Sequence, residues 1–183
     1  MRVIAGTLKG RRLKSPTWDG LRPTSDQLRE TLFNVLAPRV DGARVLDGYA
    51  GTGALGIEAI SRGAHSATFV DDDRRATALI AENVAHCGIE DQCVIIRTKV
   101  AHALESLRQR DPFDIVLFDP PYAPDHDSDL DAILRAAAGL LAPRGIVVLE
   151  HARRAPRPDT AGGLARTRTL MAGNSALSLY ELG

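Results

Sequence analysis

The sequence predicts a doubly wound α/β fold, a mostly parallel seven-stranded sheet with a small N-terminal arm or hairpin in front of it. Three observations carry this. From residue 43 onward, short apolar runs alternate with longer amphipathic ones, the rhythm of strand–helix–strand crossovers in a parallel sheet. The short runs, such as Val45-Leu46 and Ile146 to Leu149, are apolar without alternation, as strands covered on both faces are. A glycine-rich turn joins the first strand to the first helix of this series.

Taken in order, residues 1–20 are basic and punctuated by glycine, with Val3-Ile4-Ala5-Gly6 and Leu8-Lys9-Gly10-Arg11-Arg12-Leu13. They read as a small hairpin or an extended arm. Pro23-Thr24-Ser25 then opens a helix whose Leu28, Leu32, Val35 and Leu36 share one face, and Pro38 is expected to stop it. Strands are expected at Val45-Leu46, Ala67 to Val70, Gln92 to Arg97, Ile115 to Phe118 and Ile146 to Leu149. Helices are expected at Ala54 to Ser61, Arg74 to His86, Ala101 to Arg110 and Leu130 to Leu141. Residues 151–163 read as a basic loop. Ala165 to Met171 and Ala176 to Leu182 form a closing hairpin around Gly173-Asn174. The expected division is residues 1–40, a basic nucleic-acid-binding extension, and residues 41–183, the ligand-binding domain.

The net charge of zero conceals an asymmetry: residues 1–40 carry +5, residues 41–152 carry −8, and residues 153–182 carry +3. Basic ends around an acidic middle point to a polyanion held by the ends. No apolar run approaches the roughly 20 residues of a membrane span, and no apolar stretch follows the basic N-terminus as in a secretory signal. A cytoplasmic protein is expected, with Cys87 and Cys93 as free thiols. No metal site is expected. The five histidines are scattered, and Asp125, Asp127, Asp129 and Asp131 lack the glycine and glutamate of a calcium loop and suit the start of a helix.

In an open α/β sheet, ligands bind where the strands end. After the first strand comes Asp47-Gly48-Tyr49-Ala50-Gly51-Thr52-Gly53-Ala54-Leu55-Gly56. Its glycines match G-x-G-x-x-G, and Asp71 follows about 20 residues on, where it can hold ribose hydroxyls. Nicotinamide cofactors and S-adenosylmethionine both use such an acid. Asp47 tips the choice, because a carboxylate opposes a pyrophosphate but suits an ammonium.

Asp119-Pro120-Pro121-Tyr122 follows the fourth strand. Asp119 and the Pro120 carbonyl can each accept one N–H of an amino group on a base. That localises a lone pair otherwise delocalised into the ring. Tyr122 offers a face for stacking.

Asp47 to Gly56, Asp71 and Asp-Pro-Pro-Tyr together resemble class I N-methyltransferases. Met1-Arg2-Val3-Ile4-Ala5-Gly6, Lys9-Gly10-Arg11, Arg22-Pro23-Thr24, Arg29-Glu30-Thr31-Leu32-Phe33-Asn34, Gly53 to Ala59 and Ser61-Arg62-Gly63-Ala64 are similar to the bacterial small-subunit rRNA guanine-N2 methyltransferases called RsmD. The resemblance implies a Rossmann-like methyltransferase domain and S-adenosylmethionine as methyl donor. It implies methylation of N2 of one guanine in 16S rRNA, within the small ribosomal subunit. The short loops and the lack of any coiled-coil pattern make a monomer the expectation. The expected cofactor residues are Asp47, Ala50, Gly51, Gly53, Asp71, Asp72 and the Val100 backbone. Arg2, Lys9, Arg11, Arg12, Lys14, Arg153 and Arg154 are expected on rRNA phosphates. Arg22 and Thr24 are expected to close over the site, or Thr24 or Ser25 to cap the helix.

Three departures stand out: Gly48-Tyr49 where the family has Leu-Phe, Lys99 where relatives place an acceptor, and Asp71 for a longer Glu. Three other readings stay open. They are methylation of a DNA amino group or a protein amide, a nicotinamide dehydrogenase, and a non-catalytic RNA-binding assembly factor.

Overall fold

A computed structural model describes residues 1–18, 25–121, 127–155 and 157–183. Strands β1 (Arg44–Gly48), β2 (Ser66–Asp71), β3 (Cys93–Arg97), β4 (Phe113–Phe118) and β5 (Leu141–Ala152) run parallel. Each short apolar run became one of them. Strands β6 (Thr160–Ala161), β7 (Leu164–Ala172) and β8 (Ser175–Leu182) extend the sheet through antiparallel pairs. The order is β3-β2-β1-β4-β5-β8-β7-β6. Because β8 inserts beside β5, β7 closes back on it as the expected hairpin.

The sheet has eight strands, not seven. The extra one is the two-residue β6, within what reads in sequence as a loop. The same stretch also loses its first residues to β5, which continues through His151 and Ala152 because β8 pairs with it that far.

Alternate residues of each strand enter opposite cores, as the two-residue strand period requires. Val45, Phe69, Leu117 and Val148 face helices α1 (Asp26–Val40), α2 (Ala54–Ser61) and α3 (Arg74–Cys87). Leu46, Val70, Phe118 and Leu149 face α4 (Val100–Leu107) and α5 (Asp127–Ala138). Helix α1 begins at the Ser25 cap, whose hydroxyl accepts from Leu28 N–H at 3.2 Å. Pro38 does not stop it. The helix runs to the buried Val40, and a proline in the last turn costs one backbone hydrogen bond while Val40 gains burial.

The N-terminal segment folds back on itself through an antiparallel bridge between Arg2 and Arg12. Val3 N–H donates to Arg11 O at 2.9 Å, and Gly10 N–H donates to Val3 O at 2.9 Å. It is fastened to α2 and α3 by buried polar side chains. The Glu58 carboxylate accepts from Ile4 N–H (2.8 Å) and Ala5 N–H (3.0 Å). Ser61 Oγ accepts from Leu8 N–H (3.0 Å). The Asn83 side chain accepts from Lys14 N–H (2.7 Å) and donates to Lys14 O (3.2 Å) and Thr52 O (3.0 Å). Asn83 therefore links the segment to the glycine loop. Among the described residues, no helix is long and apolar enough to cross a membrane.

Candidate active site

The strand order reverses between β1 and β4. From β1 the chain proceeds outward to β2 and β3, and from β4 it proceeds the other way to β5. The crevice at such a reversal opens beyond the carboxyl ends of these strands. The chain places Asp47 and the glycine loop on one side of it and Asp119 on the other.

The glycine loop is held open by its backbone. Tyr49, Gly51 and Gly53 all have positive φ, at 61°, 56° and 76°. Tyr49 is the only non-glycine residue to do so among those described, a conformation that costs of order 1–3 kcal/mol and that the surroundings must enforce. Ala50 N–H donates to Val70 O at 3.0 Å, and Gly51 N–H donates to Asp71 Oδ2 at 2.9 Å. The loop thus arches over the end of β2. Gly56, three residues after Gly53, lies against the Phe69 ring so closely that a Cβ would overlap it. That glycine lets α2 sit down on the sheet. The Gly48-Tyr49 departure has a packing reason as well. A Cβ at Gly48 would stand 2.7 Å from the Phe118 ring, and Tyr49 meets that same ring edge-on at a centroid distance of 6.3 Å.

Asp47 is buried at the end of β1. Its Oδ2 accepts from Gly56 N–H at 2.9 Å, while its Oδ1 is buried with no hydrogen-bond partner. Burial pushes this carboxyl well above the ordinary carboxylate range. The Gly56 N–H opposes that shift, and the nearby Asp119 and Asp71 add to it. An unpartnered buried carboxylate oxygen is costly, and a cationic ligand group would relieve it. Asp71 is half-buried at the end of β2, its two oxygens taken by Gly51 N–H and Asp73 N–H. Burial raises its carboxyl, those two N–H groups oppose the rise, and the neighbouring Asp72 and Asp73 add to it. Asp72 is exposed. Asp73, which the sequence reading passed over, caps α3 by accepting from Arg75 N–H at 2.7 Å.

Across the crevice, β4 delivers Asp119, half-buried, then the buried Pro120 and the exposed Pro121. A narrow recess runs beneath them, lined by Asp119, Glu150, Leu28, Leu32 and Leu55 among others. Helix α1 therefore forms one wall of the crevice.

The family model for conserved hypothetical protein 95 matches residues 1–181. Ribosomal RNA small subunit methyltransferase D of Escherichia coli strain K12 is 35% identical over 182 residues, 99% of this chain and 89% of that protein. The chain belongs to the RsmD family. A solved protein from Thermus thermophilus is 32% identical with a TM-score of 0.85, covering 100% of this chain and 99% of that one. The solved Escherichia coli chain yhhF is also 32% identical, with a TM-score of 0.84, covering 100% of this chain and 97% of that one. Both solved proteins share this fold over the full length of the chain.

The structure brings Asp47, Ala50, Gly51, Gly53, Asp71, Asp119, Pro120 and Pro121 to one crevice. Val100 starts α4 with its side chain buried. The turn before it is tied to β2 by Thr98 N–H donating to Asp71 O at 3.1 Å. Tyr122, Arg22 and Thr24 lie outside the described residues. Of the basic residues, Arg2, Lys9, Arg11, Arg12, Lys14, Arg153 and Arg154 are all exposed. Arg11 donates to His86 O (2.7 Å), and Lys14 pairs with Glu82 (2.8 Å).

Sequence reasoning missed the buried polar residues on helices. Besides Glu58 and Asn83 there is Arg29, fully buried on α1, whose Nη2 donates to Arg2 O at 2.8 Å and to Asp26 at 2.6 Å. Glu150, buried in β5 just past its parallel pairing with β4, was missed too. Its signal was positional: an acid directly after an apolar strand, as at Asp47, Asp71 and Asp119.

Proposed function

We propose that the chain transfers a methyl group from S-adenosylmethionine to the exocyclic N2 of a guanine in 16S rRNA. The observation that carries this reading is the pair facing each other at the reversal of the sheet: a buried carboxylate oxygen seeking a cation, and the Asp119-Pro120 acceptors. The family membership supports rRNA methyl transfer, since the Escherichia coli relative is named for small-subunit rRNA.

When bound, the cofactor supplies an electrophilic methyl on a sulfonium, together with an ammonium group. Asp47 would hold the ammonium, Asp71 the ribose hydroxyls, and the Gly51–Gly53 backbone would border it. On the substrate side, the Asp119 carboxylate and the Pro120 carbonyl accept the two N–H bonds of the guanine amino group. Those bonds turn the nitrogen lone pair toward the methyl, and fixing the two reactants supplies much of the rate. The target base must leave its stack to reach Asp119. We assign residues 1–40 to an RNA-binding extension and residues 41–183 to the methyltransferase domain. The working state is a cytoplasmic monomer acting on the small subunit.

The deciding experiment gives labelled S-adenosylmethionine to small subunits from a strain lacking the enzyme, to naked rRNA and to DNA, and identifies the product nucleoside by mass spectrometry. N2-methylguanosine in rRNA is expected. Label on DNA or protein alone overturns the reading. On the RNA side, replacing Arg2, Lys9 and Arg12 together by Ala should lower the slope of log affinity against log salt by about 2–3, since each phosphate contact contributes roughly 0.7–0.9. Lys14→Ala, whose ammonium is already paired with Glu82, should change it less.

Asp47→Asn separates binding from stability. The amide oxygen keeps the Gly56 bond, and the charge that meets an ammonium is lost. Cofactor affinity should fall roughly 10- to 100-fold, from about 1.5–3 kcal/mol for a hydrogen bond to a charged group. The unbound variant should nonetheless be the more stable protein at neutral pH. The folded Asp47 carboxyl holds its proton to higher pH than the unfolded one. Wild-type stability therefore falls as pH rises from the ordinary carboxylate range through the raised folded value, and is flat above it. The variant lacks that fall. Urea melts at several pH values, with calorimetric titration of the cofactor, check both halves. A variant less stable than wild type at pH 8 would contradict this account of Asp47.

A further inference from the structure

Four neighbouring strands carry an acid at or just past the end of their parallel pairing, and the sheet sets the order in which these acids stand. In the parallel register, Asp47 aligns with Phe69 and Leu117, and Leu117 aligns with Val148. Phe69, Leu117 and Val148 all face the α1–α3 side. By strand alternation Asp47 faces that side too, and so do Asp71, Asp119 and Glu150, each two residues beyond its aligned neighbour. Read along β2, β1, β4 and β5, adjacent in that order, the carboxylates are Asp71, Asp47, Asp119 and Glu150. The first two belong to the cofactor side and the third to the reacting amino group. The fourth lies one strand further from the cofactor. Asp119 and Glu150 line the same recess, whose other walls are the apolar Leu28, Leu32, Leu55 and Leu177.

We infer that Glu150 selects guanine, by accepting the ring N1–H that lies next to the amino group held at Asp119. This rests on the guanine-N2 reading above and deepens it. Among the standard bases, guanine alone has an exocyclic amino group beside a protonated ring nitrogen. Adenine and cytosine carry an unprotonated ring nitrogen in that place, and its lone pair would face the Glu150 carboxylate across an apolar-walled recess. Two electron-rich centres facing each other repel, and the N1–H donor is missing, which is how sites built for a hydrogen bond reject analogues lacking it. Asp119 and Pro120 by themselves would accept any of these amino groups, so they do not choose the base.

The probe is 2-aminopurine, which keeps the amino group at C2 and has no hydrogen on N1. Small subunits are assembled on 16S rRNA carrying either guanosine or 2-aminopurine at the methylated position, which the product analysis identifies. Wild-type enzyme should methylate the guanosine particle at least 100-fold more efficiently in kcat/KM. In Glu150→Gln, whose amide can donate to the bare N1 or accept from N1–H, the ratio should shrink below tenfold. Cofactor affinity and melting temperature should stay near wild type. Equal turnover of both particles by wild-type enzyme overturns the inference without needing any variant. An unchanged ratio in a folded Glu150→Gln overturns it as well. If wild-type enzyme makes no N2-methylguanosine on the guanosine particle, the reading beneath has failed, and this one falls with it.

Discussion

Asp119→Ala should lose methyl transfer by roughly 10²–10³-fold, the usual cost of removing one fixed hydrogen-bonding group from a transition state, while cofactor affinity stays within a few-fold of wild type. The asymmetry follows from position. Asp119 ends β4, across the reversal of the sheet from the loop that Gly51, Gly53 and Asp71 organise. It is linked electrostatically to the cofactor side through Asp47, whose carboxyl it helps to raise. Removing Asp119 leaves Asp47 easier to ionise, which favours an ammonium ligand. Asp119→Asn should be milder, because the amide oxygen still accepts an N–H. Single-turnover rates on unmethylated small subunits, with calorimetric cofactor titration, separate the two effects. Turnover by Asp119→Ala within tenfold of wild type would remove Asp119 from the chemistry.

The parts of the site legible in the sequence are those fixed by local rules. The helix expected at Ala54 to Ser61 is α2 to the residue, because a glycine loop and Arg62-Gly63 bracket an apolar helical run. Asp47, Asp71 and Asp119 were legible because each ends an apolar strand, and a parallel sheet puts all such ends on one side. The failures share a different cause. Strand β5 outruns its apolar core because β8 supplies hydrogen bonds to His151 and Ala152, and pairing of that kind leaves no mark in composition. β6 is two residues beside a Gly-Gly turn, too short for a pattern. Helical polar residues read as solvent-facing by default, so Glu58, Asn83 and Arg29 gave no signal. What buries them is chain from the N-terminus, some 27 to 69 residues away. The basic arm was legible as charge, but its attachment was not.

That attachment predicts the largest loss of stability. Glu58 is fully buried, and its carboxylate serves three donors: Ile4 N–H, Ala5 N–H and Arg62 Nε at 2.7 Å. Arg62 in turn lies over the Phe33 ring of α1 at 5.2 Å. Glu58→Ala strands two backbone N–H groups and a guanidinium only 14% exposed, with no acceptor in their place. Breaking a buried pair from one side costs about 3–5 kcal/mol, or roughly 6–20 °C in melting temperature for a chain of this length. Glu58→Gln should lie between, since one oxygen survives while the new amide group points a donor at a donor. The damage should be unevenly distributed. Amide exchange at Ile4 and Ala5 should accelerate well beyond that of β1 and β4, whose bonds lie within the sheet. RNA affinity should fall with it, because a loosened arm must be reordered each time Arg2, Lys9 and Arg12 meet phosphate. Cofactor affinity should change least, as Glu58 touches neither Asp47 nor Asp71. A variant that melts with wild type while Ile4 and Ala5 stay protected would mean that the arm is held elsewhere, by anchors such as Ser61, Asn83 and Arg29.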